Sequence, residues 1–174
     1  MDIHLLLIIE RYDLKNVHNV YMYILYASQN GNSEQVAKEI YNEINNKTVD
    51  IYSLDESLSI FKTKHFDRPF CMVISTTGNG EIPLSGEKWW KFIKNRTIDK
   101  NYLSNMHFCI LAIGDSNYNN FCGAGKKVYR RLTELQAIPM NNTIYIDDVN
   151  GDYDEKIQQF LDVTTTYINL NDKH

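Results

Sequence analysis

Short apolar runs alternate with amphipathic helical stretches along most of this chain. Five of the runs are rich in β-branched or aromatic residues, which favours β-strands. They cover residues 21–26, 49–54, 70–74, 108–113 and 143–146. The third and fourth runs are apolar almost throughout, as is typical of central strands in a parallel sheet that is covered on both faces. The stretches between the runs repeat apolar residues at helical spacing, for example at Val36, Ile40 and Ile44.

This alternation predicts one α/β domain, with a five-stranded parallel sheet and helices on both faces. We place the domain at residues 20–170. Residues 1–19 carry no clear period and are interpreted as an N-terminal tail or an extra element outside the core. Residues 55–69 are polar and ambiguous. Of the neighbouring Trp89 and Trp90, we expect one in the core and one on the surface.

Composition and charge exclude several classes of function. The net charge of -4 over 174 residues disfavours a nucleic-acid groove, for which a basic stripe is expected, and is compatible with a basic protein partner. Cys71, Cys109 and Cys122 form no CxxC pair, so we expect neither a disulfide framework nor a zinc site, and reduced thiols favour the cytoplasm. The apolar run at residues 5–9 is too short to span a membrane, and we expect no membrane anchor.

The loop after the first predicted strand has the composition of a phosphate-binding loop. Open α/β sheets bind ligands beyond the carboxyl ends of their strands, where this loop lies. The first loop consists of Ser28, Gln29, Asn30, Gly31, Asn32 and Ser33, and it runs directly into a helix. Its hydroxyl and amide groups, its backbone N–H groups and the helix dipole all suit an anion. The alternative is a helix cap in which Asn32 and Gln35 form a variant capping box.

Two other phosphate-binding folds are excluded by motif. The chain has neither GxxxxGK[ST] nor GxGxxG after a strand, so it is neither a P-loop NTPase nor an ordinary dinucleotide fold. Residues 28–37 also contain no Lys or Arg. A phosphate that is held without a cation leaves net negative charge beside the ligand.

Two further loops follow the third and fourth predicted strands. The second loop, residues 75–83, contains two glycines and a proline, which indicates a shaped turn beside a flat ligand. The third loop, residues 114–122, begins with glycine and carries two aromatic residues. Tyr118 is a candidate for stacking on a ring, or else an ordinary loop tyrosine. We favour a packing role for Phe121 at the start of the next helix.

Taken together, the three loops resemble the flavodoxin-like FMN domain of the diflavin reductases, a family that includes cytochrome P450 reductase and methionine synthase reductase. Residues 75–80, 114–118 and 121–127 look most like methionine synthase reductase. Residues 90–93 also resemble the diflavin reductase that supplies electrons to cytosolic iron-sulfur assembly. The resemblance implies a flavodoxin-like fold with strand order 2-1-3-4-5.

The same resemblance implies FMN as the cofactor and assigns its neighbours. The first loop would hold the phosphate, residues 76–79 would border the isoalloxazine ring with the Gly78 carbonyl near N5, and Tyr118 would stack on the ring. The implied set is Ser28, Gln29, Asn30, Gly31, Asn32, Ser33, Thr76, Thr77, Gly78, Asn79, Gly114, Asp115, Ser116, Asn117, Tyr118 and Asp148. Asp147 is an alternative to Asp148 as the acidic residue near the flavin. For both residues, a solvated turn without a role at the flavin is the other interpretation. We expect no catalytic or metal-binding residue.

The chain departs from the family pattern at two positions. Asn30 stands where many members have Thr, which exchanges a hydroxyl contact for an amide contact. Thr77 stands where P450 reductases have Tyr, so we expect one face of the flavin to lack an aromatic partner. The absence of a cation from the first loop would disfavour an anionic reduced flavin and lower its reduction potential.

The function that the resemblance implies is single-electron transfer, from an FAD/NADPH reductase module to a metal- or haem-containing acceptor protein. The sequence ends at residue 174 without such a module, so we expect either a fragment of a longer protein or a separate reductase. One alternative is a free-standing flavodoxin or a quinone-reducing flavoprotein. Another is a flavin-free interaction module with the same fold.

Overall fold

The computed structural model describes residues 22–44, 49–63 and 68–171. Within these residues, six strands form one parallel sheet. They are β1 (Met22–Ala27), β2 (Val49–Ser53), β3 (Phe70–Ser75), β4 (His107–Gly114), β5 (Ile138–Pro139) and β6 (Ile144–Asp147). The sheet order is β2-β1-β3-β4-β5, and β6 also pairs with β4. The predicted order 2-1-3-4-5 is therefore confirmed. The predicted N-terminal tail, residues 1–19, lies outside the described residues.

The fifth position of the sheet differs from the prediction because two short strands share it. β5 pairs with the start of β4 at His107 and Phe108, whereas β6 pairs with the end of β4. Pro139 has no backbone N–H to donate, and the polar residues 141–143 separate the two strands. The predicted fifth strand, residues 143–146, therefore corresponds to β6, and β5 is an additional short strand beside the start of β4.

Five helices cover the sheet within the described residues. They are α1 (Asn32–Ile44), α2 (Leu58–Thr63), α3 (Glu87–Ile93), α4 (Gly123–Glu134) and α5 (Tyr153–Asn171). A turn of 3-10 helix, Leu84–Gly86, leads into α3. The helix α2 falls in the segment that the sequence left ambiguous. It is short, and only Phe61 within it is buried, so its periodicity is weak.

Successive side chains of the strands face opposite sides of the sheet and build two cores. The core beneath α1 and α5 is mainly aliphatic. The core beneath α2, α3 and α4 contains stacked and edge-on aromatic rings, including Phe61 and Trp89 with centroids 5.3 Å apart. Trp89 is fully buried, as expected for one of the two tryptophans. Trp90, expected on the surface, is partly buried and packs against the same core.

Candidate functional site

Four loops meet at the carboxyl end of the sheet. The first, second and third loops follow β1, β3 and β4, and a fourth loop, residues 147–152, follows β6. Because the strands are parallel, all four loops emerge at the same edge, which is where open α/β sheets bind ligands. The fold thus brings together the four chain segments that contain the predicted site residues.

Two serines fix the shape of the first loop. The Ser33 hydroxyl is fully buried and donates to the Ala27 carbonyl at 2.5 Å. The Ser28 hydroxyl accepts the Gly31 amide at 2.9 Å, and the Ser28 amide donates to the Ser85 hydroxyl at 2.8 Å. Both candidate hydroxyls therefore face the protein, and they hold the loop in place.

The start of α1 leaves backbone amides unused. Within the described part of the chain, the amides of Asn32, Ser33 and Glu34 have no acceptor, as is usual for the first turn of an α-helix. Gly31 precedes them with φ of +93°, and a Cβ added there would meet nothing within 4 Å. Free amides at a helix N-terminus attract anions, so this geometry fits a phosphate group.

The capping-box alternative is not what the structure contains. The Gln35 amide donates to the Gly31 carbonyl at 2.9 Å, which is an ordinary helical bond. The side-chain amide of Asn32 donates across to the Tyr153 hydroxyl at 2.8 Å. Neither side chain of the proposed pair therefore closes the first turn of α1 in the way that a capping box requires.

The second loop forms a tight turn that neighbouring residues hold from outside. Thr77 pairs with Glu81 across the turn, and Gly78 and Gly80 adopt φ of +51° and +88°, which other residues resist.

Contacts from outside hold this turn in place. Lys127 Nζ donates to the Gly80 carbonyl at 2.6 Å. The remaining contacts come from Thr76, whose amide donates to the Ile113 carbonyl, and from Asn79, whose side chain accepts from Asn120. The turn is thus fastened to β4 and α4.

The third loop combines a buried base with an exposed tip. Gly114 is enclosed, because a Cβ added there would lie 2.7 Å from the Cys122 amide nitrogen. Asp115 accepts the Asn117 amide at 2.8 Å and shapes the turn. The Tyr118 side chain at the tip is 67% exposed, so its ring is available to a ligand.

The fourth loop gives the two neighbouring acids different roles. The Asp147 carboxylate is buried and accepts the amides of Ser116 at 3.0 Å and Val149 at 3.2 Å. Hydrogen bonds from Ser116 lower the pKa of Asp147, although its burial acts in the opposite direction. The exposed Asp148 instead accepts the Tyr153 hydroxyl. Asp147 supports the third loop, whereas Asp148 is connected to the first loop through Tyr153.

Sequence reasoning missed several residues that fasten these loops. The Leu84 amide donates to Gln29 Oε1 at 3.0 Å, so the candidate side chain of Gln29 already has a protein partner. The other supporting side chains come from residues that lie outside the first three loops or that carried no separate signal: Ser85, Asn120, Lys127 and Tyr153. In the sequence, only their polar side chains could have indicated this supporting role. Polar residues are common in loops, so that indication is weak.

The other aromatic candidates are used elsewhere. Trp89 is fully buried against Phe61 and is out of reach of a ligand. Phe121 lies 6.2 Å from the Tyr145 ring, and Lys126 Nζ lies 5.4 Å from the Phe121 centroid, in keeping with a packing role at the start of α4. Tyr118 is thus the exposed aromatic side chain of the three loops.

Residues 22–44, 49–63 and 68–171 contain neither a metal-binding cluster nor a membrane-spanning helix. No group of three or more His, Cys, Asp and Glu side chains there is arranged to hold a metal ion. None of the helices there is long and apolar enough to cross a membrane.

The sequence matches known proteins over most of its length. The flavodoxin family model matches residues 24–160. Methionine synthase reductase of Bos taurus is 35% identical over 130 residues, which are 74% of this chain and 19% of that protein. NADPH-dependent diflavin oxidoreductase 1 of Schizosaccharomyces pombe is 34% identical over 126 residues, which are 71% of this chain and 21% of that protein. The chain spans about a fifth of the length of these relatives.

Solved structures show the same fold. A mutant of flavodoxin from Pseudomonas aeruginosa superimposes with a TM-score of 0.64 at 23% identity, covering 82% of this chain and 97% of that one. Oxidised flavodoxin 1 from Bacillus cereus gives a TM-score of 0.63 at 20% identity, covering 83% of this chain and 97% of that one. The flavodoxin-like fold class is confirmed.

The site geometry agrees with the cofactor that this family implies. The unused amides of residues 32–34 suit a terminal phosphate, and the exposed ring of Tyr118 suits a flat aromatic ligand. The family model covers well over half of the chain. The chain therefore belongs to the flavodoxin family, and its cofactor is FMN.

Proposed function

We propose that this chain is an electron-transfer domain that receives electrons from an FAD/NADPH reductase module and delivers them singly to a metal- or haem-containing acceptor protein. The observation that carries the proposal is the pairing of free helix amides with an exposed aromatic ring at one edge of the sheet. Sequence similarity to methionine synthase reductase and to NADPH-dependent diflavin oxidoreductase supports the reductase module as donor. The module is supplied either in a longer protein or by a separate one.

The first and third loops bind and orient the cofactor in this proposal. The backbone amides of Asn32, Ser33 and Glu34 hold the phosphate, and Gly31 lets the backbone approach it closely. Tyr118 stacks on the isoalloxazine ring. Asp115, Ser116 and Asn117 shape the loop beneath Tyr118, and Gly114 allows that loop to close onto α4. The remaining proposed neighbours are Ser28, Gln29, Asn30, Thr76, Thr77, Gly78, Asn79 and Asp148.

The protein tunes the site by charge and by the positions of its loops. When bound, FMN supplies the one-electron redox chemistry. No cation lies in residues 28–37, while Asp147 and Asp148 lie in the adjoining fourth loop, so the local charge disfavours additional negative charge on the ligand. Lys127 and Asn120 hold the turn at residues 78–80 that borders the ring in this assignment. Surface carboxylates guide docking to partners of opposite charge.

A free-standing flavodoxin is the second candidate function. This candidate is supported by the solved flavodoxins, whose fold this chain matches over 97% of their length. A quinone-reducing flavoprotein belongs with this candidate, since it too works without an attached reductase. We further place the protein in the cytoplasm, supported by the three cysteines of the described residues, which are all free thiols.

Rapid kinetics separate these functions. We predict that NADPH alone does not reduce the bound flavin at a useful rate, whereas an added FAD/NADPH reductase domain does, because the chain has no nucleotide-binding motif after residue 122. Stopped-flow absorbance of the FMN-loaded chain measures both rates. The reduced protein is then mixed with a haem protein, and electron delivery is followed at the haem bands.

Each contrary result selects a different function. Rapid hydride transfer from NADPH, with no other protein present, would identify a quinone-reducing flavoprotein. Reduction by a flavodoxin reductase but by no diflavin reductase domain would favour the free-standing carrier. A purified chain that binds no flavin at all would leave the interaction module.

A further inference from the structure

Tyr153 joins two of the four loops. Its hydroxyl accepts a hydrogen bond from Asn32 Nδ2 at 2.8 Å and donates one to Asp148 Oδ1. Tyr153 is the first residue of α5, Asn32 the first of α1, and Asp148 follows β6. One hydroxyl therefore connects the start of two helices with the fourth loop.

The bridge acts on the residue that opens the proposed phosphate site. Asn32 carries the first of the three backbone amides that have no acceptor within the described residues. Its side chain is exposed and would rotate freely without a partner. The bond to Tyr153 restrains that side chain, and with it the direction of the neighbouring amides. Restraining a binding group before the ligand arrives lowers the entropy cost of binding.

The position of Tyr153 does not depend on the bridge. The helices α1 and α5 pack together through buried apolar residues, among them Ile40, Ile157 and Phe160, and the Tyr153 ring lies partly buried against this core. Burial, followed by the bond to Asp148, raises the pKa of Tyr153 to about 12. The hydroxyl is therefore protonated at neutral pH and available as a donor, while phenylalanine would keep the ring and lose only the bridge.

We propose that Tyr153 is a positioning residue that increases the preference of this site for a phosphorylated flavin over an unphosphorylated one. Tyr153 acts through Asn32 and does not touch the ligand itself. The proposal rests on the proposed function, because it assigns the unused amides of residues 32–34 to the phosphate of FMN. Riboflavin lacks that phosphate, so it reports on the ring contacts alone.

The test compares two ligands on the flavin-free chain. Dissociation constants for FMN and riboflavin are measured by quenching of flavin fluorescence in the parent and in Tyr153→Phe. We expect the variant to weaken FMN binding about threefold to tenfold, the usual worth of one hydrogen bond, and to leave riboflavin binding unchanged.

A matched control is available on the same helix. Tyr167→Phe removes a tyrosine hydroxyl about 21 Å further along α5 and should change neither constant. An equal loss of both ligands in Tyr153→Phe would reveal a merely structural role, and unchanged constants would show that the bridge has no role; either result overturns the proposal. A parent chain that binds riboflavin as tightly as FMN, or binds neither, would instead refute the phosphate site itself.

Discussion

Gly125 and Tyr118 lie close together in the sequence, on either side of the start of α4, but in opposite environments. A Cβ added to Gly125 would lie 2.5 Å from the Cβ of Ala112 on β4, so helix and strand are in contact there. The Tyr118 side chain is 67% exposed. The interface between α4 and β4 has no room for an additional carbon atom at Gly125. The loop that precedes α4, in contrast, leaves the ring of Tyr118 accessible to a ligand.

Hydrogen bonding shows the same difference between these two regions. Along β3 and β4 the parallel ladder pairs successive residues from Phe70 to Ser75 with residues 108–113. At the carboxyl edge, the amides of residues 32–34 have no acceptor within the described residues. The backbone hydrogen bonds between strands specify the fold, whereas backbone amides without an acceptor are available to a ligand. Substitutions in the two regions should therefore affect different measurements.

The largest effect is expected at the interface between α4 and β4. Gly125→Ala places a methyl group where Ala112 already stands, and such overpacking in a well-packed core costs about 3 kcal/mol at the upper end of its usual range. We expect a lower midpoint of urea unfolding, with the dependence on urea unchanged. Circular dichroism along a urea gradient measures both quantities.

A compensating substitution tests the stated cause. The double variant Gly125→Ala with Ala112→Gly exchanges the two side chains across the same contact and should recover part of the lost stability beyond the sum of the single changes. Additive losses in this cycle would mean that the clash with Ala112 is not the reason. A stable Gly125→Ala single variant would show that α4 can shift away from β4.

Much of this interface follows from the sequence, and the exceptions have local causes. Residues 70–74 and 108–113 are apolar throughout, so the central strands were predicted to within one or two residues. The short helix α2 was missed because it has only six residues, of which Phe61 alone is buried. The additional strand β5 was missed because it has only two residues and ends on Pro139. Elements as short as α2 and β5 are stabilised mainly by tertiary contacts, which a local sequence pattern does not show.

The second-largest effect is expected on FMN affinity, when the exposed ring of Tyr118 is removed. Tyr118→Ala should weaken FMN binding by about one to two powers of ten, because stacking on an aromatic side chain contributes roughly 1 to 3 kcal/mol. The fold should persist, since the ring makes little contact with the protein. Titration of the flavin-free chain with FMN, followed by flavin fluorescence, gives the affinity, and urea unfolding gives the stability.

Tyr41→Ala is the matched control for this change. Tyr41 is also an exposed tyrosine, but it lies on α1, well beyond the first turn of that helix. Tyr41→Ala should therefore leave the FMN affinity unchanged. If Tyr118→Ala binds FMN as tightly as the parent and the bound flavin remains equally dark, Tyr118 does not stack on the ring, and Phe121 becomes the next aromatic to test.

The candidate site could be located from the sequence, but its supporting contacts could not. Loop composition and the family resemblance led to the first three loops and to the acidic pair. The bond between Asn32 and Tyr153 spans 121 positions, and nothing in either segment indicates it. The roles of Asp147 and Asp148 likewise stayed open, because two adjacent carboxylates differ only in which way the chain turns them. Such details depend on how elements pack, which becomes visible only in the fold.

The smallest effect concerns Asp147, which is buried like the core but serves a loop. Hydrogen bonds from Ser116 hold its pKa below the ordinary value of 3.8, so its charged form is favoured in the folded state. A lowered pKa of this kind stabilises the fold above the ordinary value, and the benefit is lost as the pH falls through the lowered value. We expect Asp147→Asn to be less stable than the parent at neutral pH, and the difference to shrink in strongly acidic buffer.

Urea unfolding of parent and variant at about pH 7 and about pH 3 measures this difference. Ser116→Ala is the matched control, because it removes the Ser116 hydroxyl, one source of the lowered pKa, and leaves the Ser116 amide in place. It should give an intermediate dependence on pH. A difference between parent and Asp147→Asn that is the same at both pH values would show that the ionisation of Asp147 does not contribute to stability. If instead the variant is as stable as the parent at both pH values, an uncharged amide oxygen holds the Ser116 amide equally well, and Asp147 serves the third loop as a hydrogen-bond acceptor and not as a charge.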